Sequence, residues 1–93
     1  MIVGVLTVDL FLLEGGSLKA KRKVISSIKS KLDQKFNIAI AEVGYLDKWQ
    51  RSQLGICTIS NEVKHIDQVF SHLMNQLYQD TRIEVVAQEK QLY

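Results

Sequence analysis

Four cations stand within six residues at Leu18–Lys23: Lys19, Lys21, Arg22 and Lys23, directly after Ser17 and a pair of glycines. Free backbone amides at a capped helix start, joined to a cluster of positive side chains, form a generic site for phosphate and other anions. The wider stretch from Gly15 to Phe36 adds Lys29, Lys31 and Lys35 against the single acid Asp33, so it holds +6 in a chain whose formal total is +2. The remaining residues therefore sum to −4. Cations in a first helical turn oppose the positive end of the helix dipole, and departures of this kind from a local rule point to a functional demand. Gly15-Gly16-Ser17 lacks the spaced glycine and the Lys-Ser/Thr ending of a nucleotide-binding P-loop. The expected chemistry is electrostatic attraction of a polyanion, with Ser17, Lys19, Arg22 and Lys23 as contact residues, set against a merely solvated charged face.

A second group, Tyr45-Leu46-Asp47-Lys48-Trp49-Gln50-Arg51, places the only tryptophan beside an amide and an arginine. Trp and Arg together can stack on bases or anchor a protein partner. The ring itself is expected to cover one end of the core. Arg51 has a structural alternative, pairing with Glu42 across a hairpin.

Catalytic constellations are missing from the pattern. His65 and His72 are seven apart, about 10 Å along a helix axis, too far to share a metal without other ligands. Cys57 lies in an apolar run with no adjacent cation and reads as a core residue. A phosphatase of the fold derived below would need an arginine-bearing loop after its first strand, and Glu14-Gly15-Gly16-Ser17 supplies none. No enzyme activity, cofactor or metal is expected.

The elements that position these residues follow from hydrophobic period. IVGVLTVDLFLL from Ile2 to Leu13 is β-branched and apolar in both registers, as a central strand is. It carries Asp9, has no basic leader and is too short to span a bilayer, so no membrane segment or export signal is expected. Ser17 caps a helix whose Leu18, Val24, Ile25, Ile28, Leu32 and Phe36 share one stripe, closed by Asn37. Ile38–Val43 and Trp49–Ser60 read as a hairpin. A second helix, capped by Ser60 or Asn61, carries a cleaner stripe through Val63, Ile66, Val69, Phe70, Leu73, Met74 and Leu77. Thr81–Gln88 reads as an edge strand.

The order β-α-β-β-α-β gives an α+β, ferredoxin-like domain over residues 1–93: a four-stranded antiparallel sheet with both helices on one face and the first and third strands central. A chain of 93 residues can bury roughly 60–65% of its unfolded surface, enough for one core. One cysteine excludes an internal disulfide, and a cytoplasmic location is expected.

Two consequences concern the site. Lys21 falls inside the apolar arc of the first helix, so its ammonium either reaches water at the first turn, the expected outcome, or meets Asp9 or Glu42 as a buried pair. The first strand is apolar on both sides, so Val3, Val5 and Phe11 are left over on the open face. With Trp49 they are candidates for an interface, most simply a homodimer.

Ser17-Leu18-Lys19, Lys21-Arg22, Ala41-Glu42-Val43, and Asp47 with Trp49-Gln50-Arg51 and Leu54-Gly55 together resemble the YlxP-like family of small uncharacterised bacterial proteins. The resemblance covers essentially the whole chain and departs from the family pattern at Gly44-Tyr45-Leu46, where more polar residues are usual. It implies a ferredoxin-like fold and no established activity. It also implies a genomic setting beside translation-initiation and ribosome-maturation genes.

Two functions are therefore expected as alternatives. One is a non-enzymatic module docking on RNA, or on a ribosomal particle, through the basic helix. An RNA-recognition motif would carry aromatics on its third strand, and here that strand reads Leu54-Gly55-Ile56-Cys57-Thr58-Ile59, so contact would run through the helix without sequence reading of RNA or DNA. The other is a homodimeric protein-interaction or small-ligand regulatory domain using the open sheet face.

Overall fold

The computed structural model describes residues 1–14 and 16–93. Gly15, part of the expected anion loop, lies outside the described residues. The chain runs β1 (Ile2–Leu12), α1 (Leu18–Lys35), β2 (Ala39–Gly44), β3 (Arg51–Ser60), α2 (Val63–Gln79) and β4 (Ile83–Leu92). The strands form one antiparallel sheet in the order β2-β3-β1-β4, which puts the two most apolar strands in the middle. This is the ferredoxin-like arrangement expected from the order of elements.

Parity sorts the side chains. On β1, Leu6, Val8, Leu10 and Leu12 are buried toward the helices. Their partners on β3, Ile56, Leu54 and Ser52, continue that layer, and Ile25, Ile28 and Leu32 of α1 with Ile66, Phe70, Leu73, Met74 and Leu77 of α2 close it. α2 packs tightly on the sheet at Gly4, where a Cβ would stand 2.5 Å from Ile66 Cγ2.

Ser17 does cap α1: its backbone is extended and its Oγ accepts from Ala20 N at 3.1 Å. The α2 cap differs from the expectation. Glu62 occupies the position without a side-chain bond, and Ser60 Oγ instead accepts from the Glu62 N–H. α1 ends at Lys35, with Phe36 rather than Asn37 as the C-cap.

β3 begins at Arg51, not Trp49, because Tyr45–Gln50 form the connecting turn. β4 runs past Gln88 to Leu92, pairing Gly4 with Leu92. Backbone pairing with β1 holds this polar segment, and an edge strand has no need of an apolar pattern on its outer half. A bulge opposite Asp9 and Leu10 turns Gln88 and Lys90 toward α2, where they meet Tyr78 Oη and Asp67. No helix among the described residues is long and apolar enough to cross a membrane.

Candidate functional site

The first turn of α1 and the β2–β3 turn meet at one end of the sheet, and Lys21 joins them. Its side chain is 1% exposed, not in water as expected. Nζ donates to the Tyr45 carbonyl at 2.5 Å and stands 3.0 Å from Glu42 Oε2, which also accepts from Ser52 Oγ at 2.6 Å. Glu42 and Ser52 reach the ammonium because each lies on the helix-facing parity of its strand, beside Ile40 and Leu54 respectively. A low-dielectric setting favours such a charge only when it is paired and hydrogen-bonded, and here it is both.

The same parity removes the two other candidate partners. Asp9 faces the open side of the sheet with Val5 and Phe11, where its Oδ1 accepts from Gln53 Nε2 at 2.8 Å. Arg51 is one residue out of phase with Ser52 and also projects to the open side, so it does not pair with Glu42. Its guanidinium instead lies 4.7 Å from the centre of the Tyr45 ring, a cation–π distance.

The three remaining cations of the first turns point outward. Lys19, Arg22 and Lys23 are exposed and share a shallow surface with Ser26, Ser27 and Ser30. Among the described residues, ion pairs are made by Lys21, Arg82 and Lys90, and by no cation of α1 other than Lys21. Nor is there an acid in the first turn of the helix. The local positive field therefore stands unneutralised by neighbouring side chains.

The turn itself is fixed rather than loose. Leu12 N donates to Gln50 O at 2.8 Å and Lys48 N to Tyr45 O at 3.0 Å. Tyr45 takes a left-handed φ of 57° directly after Gly44. Trp49 does not cover the core. The residue is 53% exposed, and Leu46 of the same turn is exposed as well.

On the open face of the sheet Val3, Val5 and Phe11 are half-buried, and Ile59 and Val43 are exposed. Cys57 belongs to this face and is partly accessible, a correction to its reading as a core residue: it alternates with the buried Ile56 and Thr58. His65 and His72 are exposed on α2, and no group of three metal-ligating side chains occurs among the described residues.

At the α2–β4 junction Arg82 forms a two-point pair with Asp80, Nε to Oδ1 at 2.9 Å and Nη2 to Oδ2 at 2.7 Å. Those bonds hold the Asp80 carboxyl below its usual range, with Lys31 of α1 adding to the effect. Neither this pair nor the Ser52 and Tyr45 contacts to the network were anticipated. Ser52 was visible in principle as a small polar residue at an inward position of β3, whereas a backbone carbonyl such as that of Tyr45 leaves no mark in a sequence.

Residues 3–90 match the DUF503 family, described as a protein of unknown function. The chain belongs to this family. It is also 38% identical over 60 residues to the uncharacterised protein YlxP of Bacillus subtilis (strain 168), a match spanning 64% of this chain and 65% of that protein. DUF503 membership and the YlxP likeness agree with the resemblance read from the Ser-Leu-Lys and Trp-Gln-Arg segments.

Solved structures share the architecture at low identity. The structural-genomics protein YJCS aligns with a TM-score of 0.55 over 96% of both chains at 12% identity. A candidate chlorite dismutase aligns at 0.59 and 10% identity, covering 100% of this chain and 44% of that one. A de novo designed protein with a ferredoxin fold aligns at 0.54 and 8% identity, over 99% of this chain and 84% of that one. These likenesses speak to the fold alone.

Proposed function

We propose that this DUF503 chain is a binding module that docks on RNA phosphate through α1, without catalysis and without reading sequence. The observation that carries the reading is the division of the α1 cations. Lys21 is consumed by Glu42, while Lys19, Arg22 and Lys23 remain exposed and unpaired among the described residues. Exposed lysines and arginines on one helix face gain free energy by releasing counterions from a nucleic-acid backbone, and that gain falls with salt. Ser17 supports the surface by holding the first turn in helical geometry.

Filter binding at two salt concentrations tests this. Three phosphate contacts at about 0.7 each give a slope of log affinity against log salt near −2. The double charge reversal Lys19→Glu with Arg22→Glu should abolish retention at low salt while leaving the unfolding midpoint unchanged. RNA that is not retained at low salt, or is retained equally by the double variant, overturns the reading.

A second reading rests on the open face of the sheet, where Ile59 is 59% and Val43 54% exposed beside Val3, Val5 and Phe11. Packing two such faces would give a homodimer that presents two basic helices, so the readings are compatible. Light scattering at micromolar concentration distinguishes a dimer from a monomer.

A further inference from the structure

The docking surface described above recognises phosphate and leaves Trp49 unexplained. A tryptophan is among the most costly side chains to leave in water, yet this one is 53% exposed in a turn whose backbone is held on both sides. Lys21 Nζ grips the Tyr45 carbonyl, Lys48 N donates back to the same oxygen, and Gln50 O accepts from Leu12 N. The ring is thus presented by a fixed scaffold rather than by a frayed end.

Arg51 gives a second, independent observation. Its guanidinium lies against the Tyr45 ring, and its Nε is enclosed yet has no hydrogen-bond partner among the described residues. An enclosed donor without an acceptor is unfavourable, so this guanidinium is not fully satisfied within the fold. The open cleft of about 380 Å³ around these groups is lined by Asp47, Lys48, Trp49, Gln50 and Arg51. It offers a flat apolar face for a base and the cations Lys48 and Arg51 for the oxygens beside it, against the single acid Asp47.

Lys21 also decides where this cleft sits. Because it spans from α1 to the Tyr45 carbonyl, the turn that carries the cleft is tied to the helix whose outer face holds Lys19, Arg22 and Lys23. Lys48 and Arg51 in the cleft carry the same sign as that helix face, which suits a polyanion.

Resting on the RNA reading, we propose that Trp49, beside Arg51 in the cleft, stacks on an unpaired base, so that the preferred ligand is single-stranded RNA. A duplex keeps its bases stacked on one another and can offer only phosphates to α1. A single strand can lay its backbone along Lys19, Arg22 and Lys23 and turn one base onto the indole.

Trp49 is the only tryptophan, so its fluorescence reports the contact directly. The full chain is titrated at low salt with short oligouridylate and with a duplex RNA of matched length, following both tryptophan emission and the anisotropy of labelled RNA. Expected are quenching by the single strand but not by the duplex, and about tenfold tighter binding of the single strand. Trp49→Ala should remove that preference and leave duplex binding unchanged, and Trp49→Phe should restore most of it. Because the ring is exposed, thermal midpoints of both variants should equal that of the parent. Equal affinity for the two RNAs, with unchanged emission at saturation, overturns the stacking proposal while phosphate docking stands. Absence of binding to either RNA overturns both.

Discussion

The two helices cover the same face of the same sheet at nearly equal length, 18 residues for α1 and 17 for α2, but they are built on opposite terms. α2 buries Ile66, Phe70, Leu73, Met74 and Leu77, and its outer face answers β4 through Asp67–Lys90 and Tyr78–Gln88. α1 buries Ile25, Ile28 and Leu32 together with an ammonium, and turns its other cations to solvent without partners among the described residues. A helix selected only for packing would resemble α2. The difference sets α1 apart as the helix on which the proposed docking rests, since its exposed cations have no acidic partners among the described residues.

The largest effect that could break this comparison is at Lys21. Lys21→Ala leaves the Glu42 carboxylate with Ser52 Oγ but no cation, and the Tyr45 carbonyl with the Lys48 N–H alone, and removing one partner of a buried pair costs about 3–5 kcal/mol. Lys23→Glu, two positions on but exposed, should change stability by no more than about 0.5 kcal/mol while weakening RNA retention. Urea unfolding curves for the two variants check this, and equal midpoints would erase the distinction between inward and outward cations.

Smaller effects sharpen the contrast between the helix starts. Ser17→Ala removes the α1 cap and should cost about 1 kcal/mol. Glu62→Ser at the α2 start, where no side-chain cap bond exists, should instead raise stability, by about 0.5 kcal/mol. Thermal midpoints moving in opposite directions would support the difference in capping.

The smallest expected effect is at the α2–β4 junction. The folded-state pKa of Asp80 is depressed by its Arg82 bonds below the unfolded value near 3.8, so the pair contributes stability above that pH and loses it as pH falls through the folded value. Arg82 is 37% exposed, which keeps the contribution below about 1 kcal/mol. Asp80→Asn should therefore destabilise at neutral pH and match the parent in strong acid, as read by thermal unfolding across that range.

Much of the fold was legible because burial imposes a period. The double apolar register of β1, the stripe on α2 and the Ser17 cap each leave a local mark that needs no knowledge of distant residues. Element ends were less legible. Trp49 and Gln50 precede β3 in the turn, although the Leu12–Gln50 bond continues the β1–β3 register by one pair, and Glu89–Leu92 pair with β1 without an apolar pattern. For the site, the helical wheel identified Lys21 as inward-facing and named Glu42 among its possible partners. It could not choose Glu42 over Asp9, or a buried pair over an exposed end, since both acids sit in apolar strands.

By itself the sequence determined that a cationic helix follows a buried strand, that one of its lysines points inward, and that the order of elements permits the ferredoxin-like sheet. Only the tertiary structure decided which acid that lysine meets. Strand parity puts Glu42 and Ser52 under α1 and turns Asp9 and Arg51 to the other face, and parity becomes contact only once the register between strands is set. The same packing decided that Trp49 stays in water. With the Tyr45 carbonyl held by Lys21 and Gln50 held by Leu12, the indole lies beyond the end of the sheet, where no core remains for it to join.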